Sequence, residues 1–175
     1  LRAGEVIADI GAGSGYFTFR LAHHVGAKGK VYAVDVSPDM IRHVNRRARD
    51  LKATNVVSVL ADADDPLLPE RSVDRFFVCD VWHHVENPTK YLAAMKRMPK
   101  TGGEIIMIDF QKKELPFGPP LQMKIAREDL IRRGRAEAFA GYRRVQHPDA
   151  DVARVQRLVA GAAAADEADL EGIRI

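Results

Sequence analysis

The chain has 175 residues, 46% of them hydrophobic and 29% charged, with a formal net charge of +3. That length and mix suit one soluble globular domain with a sizeable core, and no apolar run approaches the roughly 20 residues of a membrane span or forms a signal peptide ahead of the first strand. A single cysteine, Cys79, excludes an internal disulfide and fits a reducing cytoplasm, and the mild basic excess lacks the aromatic-studded basic face of a nucleic-acid binder.

After a short lead-in, the apolar run over residues 6–10 predicts a buried strand that empties into Gly11-Ala12-Gly13-Ser14-Gly15. Tyr16 opens a helix to about Val25, stopped by Gly26-Ala27-Lys28-Gly29. Residues 30–36 form a second strand, β-branched and apolar, closing on Asp35. Ser37 and Pro38 then supply an N-cap and a first-turn proline for a second helix. Its stripe of Met40, Ile41, Val44, Ala48 and Leu51 is expected to face the core, and its arginines the solvent.

A third strand over residues 55–60 ends at Ala61-Asp62-Ala63, and a polar loop over 64–72 leads to a fourth strand around 75–80. Val81-Trp82-His83-His84-Val85-Glu86 follows, then Asn87-Pro88 as a second cap-and-proline pair. The third helix carries Tyr91, Leu92, Met95 and Met98 on a core stripe, and Pro99 is expected to cut it short. Thr101-Gly102-Gly103 is expected to turn the chain into a fifth strand over 104–110.

Strands alternating with helices at this spacing imply an α/β fold, Rossmann-like and doubly wound, with a mostly parallel sheet covered by helices on both faces. Ligands of such sheets bind outside the carboxyl ends of the strands, where Asp9, Asp35, Asp62, Asp80 and Asp109 all fall. After Gln111 the pattern weakens to a loop over 115–120 and a short helix over 126–131. Beyond Arg132 arginine and alanine dominate without a lysine, and no segment reads as a strand. The chain is therefore divided into a ligand-binding domain, 1–132, and an atypical tail, 133–175. The tail is either a divergent helix, with Val152, Val155, Leu158 and Val159 as its stripe, or disordered. A reading-frame shift is a second hypothesis for it, which the gene's nucleotide sequence tests.

The glycine turn discriminates among nucleotide ligands. A dinucleotide fingerprint needs a third glycine where Tyr16 stands, and the lysine of a P-loop is absent. The pattern D-x-G-x-G-x-G, with Asp9 two residues ahead of Gly11, resembles motif I of the class I S-adenosylmethionine (SAM) dependent methyltransferases. With the other strand-end acids, residues 1–132 resemble the small-molecule members, close to the quinone-biosynthesis methylases.

The resemblance implies SAM as cofactor, S-adenosylhomocysteine as product and a small-molecule methyl acceptor. Gly11, Gly13 and Gly15 would let the backbone hold the methionine end, while Asp9 orients its amino group. Asp35, with Val36 beside it, would accept from the ribose hydroxyls. Met40 would pack on the adenine, or serve as a plain core methionine. Asp62 would meet the exocyclic amine and the Ala63 N–H a ring nitrogen. Asp80 would lie beside the methionine moiety and the acceptor, or else face water.

Adjacent residues point apart on a helix, so His83 and His84 argue against a two-histidine metal site, and no metal is expected. One of them would face the acceptor as general base and the other would be structural. Three departures from the family stand out: no helical segment precedes the glycine turn, Pro99-Lys100-Thr101 replaces the usual Leu-Lys-Pro, and no antiparallel strand pair closes the sheet, leaving an exposed edge. Two rivals stay open, a non-catalytic SAM-binding module and a nicotinamide-dependent dehydrogenase, the latter disfavoured by Tyr16. Oligomeric state is not legible.

Overall fold

A computed structural model describes residues 1–110, 112–114, 118–126, 128–129 and 141–143, the last for the backbone only. Strand β1 (Val6–Ile10) is central, hydrogen-bonded in parallel to β2 (Lys30–Asp35) on one side and β4 (Val73–Cys79) on the other. β3 (Val56–Leu60) adds beyond β2, and β5 (Pro99–Ile108) beyond β4. With β6 (Gly141–Arg143) the sheet order is β3-β2-β1-β4-β5-β6, every pairing parallel. The winding reverses between β1 and β4, which opens a crevice at the carboxyl ends of these two strands.

Alternation along the strands sorts side chains onto two faces. Ile7, Val31, Phe77 and Ile106 pack with Leu21, Ala22 and Val25 of α1 (Tyr16–Val25). Ala8, Phe76, Val78, Ile105 and Met107 point the other way, onto Tyr91, Leu92 and Met95 of α3 (Pro88–Met95) and onto Trp82 and Met98. The third-helix stripe read from the sequence is thus buried throughout. α2 (Pro38–Asp50) lies on the α1 side through Val44, against Ala33. The two predicted caps form: the Ser37 hydroxyl accepts from Met40 N (3.4 Å), and Asn87 Oδ1 from Lys90 N (3.1 Å). At the amino end of the strands, Arg75 of β4 donates to Glu5 (3.0 Å) and pairs with Glu104 of β5, tying three chain segments together. Burial pushes the Glu5 carboxyl up, but the Arg75 hydrogen bond, the Arg2 N–H and the positive charges of Arg75 and the N-terminus together hold it below its ordinary value.

Several expectations need correction. The α2 stripe is not wholly in the core: Val44 is 1% exposed, whereas Met40 and Leu51 are 38% and 44% exposed. Met40 stands in the first turn of α2 and Leu51 is its C-cap, so the two exposed residues are the ends of the stripe. The Thr101–Gly103 turn lies inside β5 as a bulge: Val73 pairs with Pro99 and Arg75 already with Glu104. The expectation of no strand past Arg132 is also corrected, since Gly141–Arg143 pairs with β5 in parallel rather than in an antiparallel hairpin. Three residues without apolar alternation leave no period to read. Of the helix expected over 126–131, Glu128 and Asp129 are helical, while Arg127 and residues 130–131 lie outside the described residues, as does the tail stripe from Val152 to Val159. Among the described residues no helix is long and apolar enough to cross a membrane.

Candidate functional site

The turn after β1 is built on backbone conformations that side chains resist. Gly11, Gly13 and Gly15 have φ of 70°, 53° and 81°. Gly11 is needed twice, because a Cβ there would lie 2.4 Å from Val81 Cγ2. The turn is anchored to β2 through Gly11 N and Ala12 N, which donate to Val34 O at 2.8 and 3.0 Å. Asp35, the last residue of β2, braces it further. One carboxylate oxygen accepts from Gly13 N (2.8 Å) and the other from Ser37 N (2.9 Å).

Asp9 is placed differently from its neighbours. It is 3% exposed, on the α1 face of the sheet, and accepts from the Thr18 hydroxyl at 2.6 Å. Burial raises its carboxyl to about 7, against the lowering effect of the Thr18 bond and with added repulsion from Asp35.

A cavity of about 340 Å³ opens at the carboxyl ends of β1, β2 and β4. Its volume falls in the range of small-molecule sites. Ile10, Gly11, Val34, Asp35 and Val36 form one wall, Ala61 and Ala63 the end, and Val81, His84, Val85, Glu86 and Tyr91 the other wall. Of the residues anticipated from the sequence, Gly11, Asp35, Val36, Ala63 and His84 line it. Asp9, Gly13, Gly15, Met40, Asp62, Asp80 and His83 are not among the lining residues. Asp62 is exposed beside the cavity, its N–H donating to Asp65 O at 3.0 Å. The apolar wall residues Val81 and Val85, and Glu86 and Tyr91, carry no motif signal; Tyr91 reads only as core.

The histidines part company. Trp82–His84 forms a single 3-10 turn, and the two rings lie 4.2 Å apart at 44°. His84 is exposed on the cavity. His83 has a side chain only 4% exposed, and its Nδ1 lies 2.9 Å from Asp109 Oδ1. Asp109 also accepts from its neighbours' backbone, Phe110 N at 2.8 Å and His83 N at 3.3 Å. A carboxylate on Nδ1 favours the proton there and leaves Nε2 as the basic nitrogen. Asp80, with φ of 57°, donates its N–H to Ile108 O (2.9 Å) and brings Oδ1 to 4.0 Å from His83 Nδ1. Asp80, His83 and Asp109 each offer one ligand atom, all within 4.8 Å of one another, a spacing that would also accommodate a cation. Sequence spacing gives no hint of this cluster, since Asp109 lies 26 residues from His83.

The lining fits an adenosyl group in its chemistry: the Asp35 carboxylate, apolar side chains such as Val36, Val81 and Val85, and a turn whose glycines let a ligand approach the backbone. A family model described as a methyltransferase domain matches residues 1–150. The ubiquinone/menaquinone biosynthesis C-methyltransferase of Marinomonas sp. is 30% identical over 115 residues, 65% of this chain and 46% of that protein. Its counterpart from Shewanella sp. is 29% identical over 114 residues, 65% and 45% of the two chains. The chain spans about half the length of these curated relatives. A SAM-dependent methyltransferase structure from Aquifex aeolicus is 29% identical with a TM-score of 0.75, covering 79% of this chain and 73% of that one. A Haemonchus contortus phosphoethanolamine N-methyltransferase, solved with S-adenosylhomocysteine, shares the fold at 20% identity and a TM-score of 0.67, covering 78% of this chain and 33% of that one. With the family model spanning most of its length and the sheet order and glycine turn in agreement, the chain belongs to the class I SAM-dependent methyltransferases.

Proposed function

We propose that the chain binds SAM in this cavity and directs its methyl group to a small-molecule acceptor. The carrying observation is the cavity itself, bounded by the glycine turn, the Asp35 carboxylate and an apolar slot between Val36 and Val85. When bound, the cofactor supplies an electrophilic methyl on a positively charged sulfur. What remains for the protein is alignment and the exclusion of water, which in well-oriented cases lowers a barrier by up to ~7–11 kcal/mol.

In this reading Asp35 accepts from the ribose hydroxyls while keeping its bonds to Gly13 and Ser37, each oxygen having a second lone pair. Gly11, Gly13 and Gly15 keep the backbone open to the methionine end, and Asp9 supports the turn from beneath. Val36 and Ala63 flank the base, with Met40 at the mouth. Asp80, His83 and His84 stand toward the acceptor. His84, the histidine that lines the cavity, takes up a proton where the acceptor must lose one, while His83, held by Asp109, supports the turn. The relatives' names, which specify C-methylation in quinone biosynthesis, support a small-molecule acceptor rather than a macromolecule.

Calorimetric titration with SAM and S-adenosylhomocysteine tests the reading. The wild type is expected to bind both, and Asp35→Ala to weaken binding roughly ten- to a hundredfold, the loss of a charged acceptor at about 1.5–3 kcal/mol. A folded wild type that binds neither ligand overturns the assignment.

A further inference from the structure

β3 is the last strand on its side of the sheet, with β2 as its one neighbour among the described residues. In that pairing Asn55 O accepts from Val31 N (2.8 Å) and Ala61 N donates to Asp35 O (2.9 Å), so the odd-numbered residues of β3 turn their backbone groups to β2. Ser58 and Leu60 therefore turn theirs away from the sheet. Edge strands are ordinarily guarded by a charge, a proline or a bulge. β3 reads Val56-Val57-Ser58-Val59-Leu60, pairs in regular register and has none of these guards. Its apolar side chains are also open: Val57 and Leu60 are 40% and 49% exposed, and Leu51 beside them 44%. Such a row is a template for a further strand.

Charge identifies the strand that fits. At the amino end of β3 the exposed Arg49 and Lys52, with Lys30 at the start of β2, outnumber the one acid there, Asp50. At the carboxyl end the charges are acidic. Asp64 and Asp65 pair with Lys90 and Arg97 of the same chain, while Asp62 is exposed and forms no ion pair among the described residues. A strand running antiparallel to β3 with the same polarity sets a basic end against an acidic end twice. β3 of a second copy, related by a two-fold axis at Ser58, is such a strand.

We infer that β3 is a dimerisation edge, pairing antiparallel with β3 of a second copy so that the two sheets run on as one. Each Ser58 N–H then donates to the partner's Ser58 O, and each Leu60 N–H to the partner's Val56 O. On the face that carries Val59 into the core, Val57 lies opposite the partner's Val59. On the other face Leu60 lies opposite the partner's Val56. Asp62 falls level with the partner's Thr54, two residues from the partner's Lys52. Because the strands oppose, the two cavities open at opposite ends of the joined sheet, and each is complete within one copy.

Sedimentation equilibrium tests the edge without any ligand. Wild type is expected at twice the chain mass. Val57→Lys, which puts a charge on the strand at an exposed position, is expected at the chain mass, with circular dichroism checking that the fold is retained. Charge exchange tests the register. Lys52→Glu and Asp62→Lys are each expected to raise the dissociation constant about tenfold, since each acts at both symmetric contacts, and the double exchange to restore it. A monomeric wild type overturns the inference. So does a dimer that Val57→Lys leaves intact, which puts the interface elsewhere, or a double exchange no tighter than the single ones. Slow solvent exchange of the Ser58 and Leu60 amides in a monomeric wild type would assign the cover to the chain itself, and the inference would fail equally. None of these readouts involves the cofactor.

Discussion

Asp9 and Ile10 are neighbours in β1, yet they belong to different environments. Ile10 walls the cavity, while Asp9 points to the opposite face and is held by Thr18 under α1. A carboxylate in that position is easier to bury protonated than charged, which is why its folded value rises from 3.8 to about 7. The folded state then holds more protons than the unfolded chain between about pH 4 and 7, so the contribution of Asp9 to stability falls as pH rises through that window and levels off above it. The full excursion amounts to roughly 4 kcal/mol. Asp9→Asn keeps an oxygen for the Thr18 hydroxyl and removes the titration. The fall in thermal midpoint between pH 5 and 7.5 should therefore be distinctly shallower in the variant than in wild type. Parallel pH profiles for the two proteins would refute this account of Asp9.

At the scale of elements, the site depends on the turn after β1 meeting the segment after β4. Their contact is Gly11 against Val81, and it leaves no room for a methyl group. Gly11→Ala should cost about 2–5 kcal/mol, from the left-handed backbone and the clash together. Adding Val81→Ala should recover the overpacking share, about 1–3 kcal/mol, and leave the backbone share in place. A urea-denaturation double-mutant cycle with purely additive costs would exclude the direct contact.

Much of this level was legible beforehand. The strand–helix alternation, the Ser37 and Asn87 caps and the glycine turn are local patterns, set by residues within a few positions of one another. The exposure of Met40 and Leu51 was not, because helical spacing fixes which face a residue is on but not whether its end of the helix is covered. Nor was the pairing of His83 with Asp109, since it requires β4 and β5 to end side by side. Tyr91 is in the core as its spacing predicts, but helical spacing does not reveal that the same side chain also borders the cavity.

For the whole molecule, the two ends of the sheet do different work. Arg75 pairs with Glu5 and Glu104 at the amino end, whereas Asp35, Asp62, Asp80 and Asp109 fall at the carboxyl end, Asp35 among them lining the cavity. The cavity walls come from residues 10–36 and 61–91, joined by the pairing of β1 with β4, in which Ile7 aligns with Arg75. That pairing closes a far longer loop than β1 with β2, where Val6 aligns with Lys30. The site should accordingly be completed late in folding. S-adenosylhomocysteine is expected to slow unfolding at least several-fold while leaving the folding rate nearly unchanged. Trp82, the only tryptophan and fully buried behind Tyr91, reports both rates by stopped-flow fluorescence. Acceleration of folding by the ligand would mean that the cavity forms early.

The left-handed backbone at Asp80 restricts what can occupy that position, quite apart from charge. Aspartate, asparagine and glycine enter this conformation readily, whereas a β-branched residue would be forced into it at on the order of 1–2 kcal/mol or more. A substitution that relaxed the turn would redirect the chain just as it leaves β4, and Val81, His84, Val85 and Glu86 would leave the cavity together. Position 80 is thus narrowed by geometry before any chemistry is asked of it, and an acid found there in a related chain is not by itself a sign of catalysis.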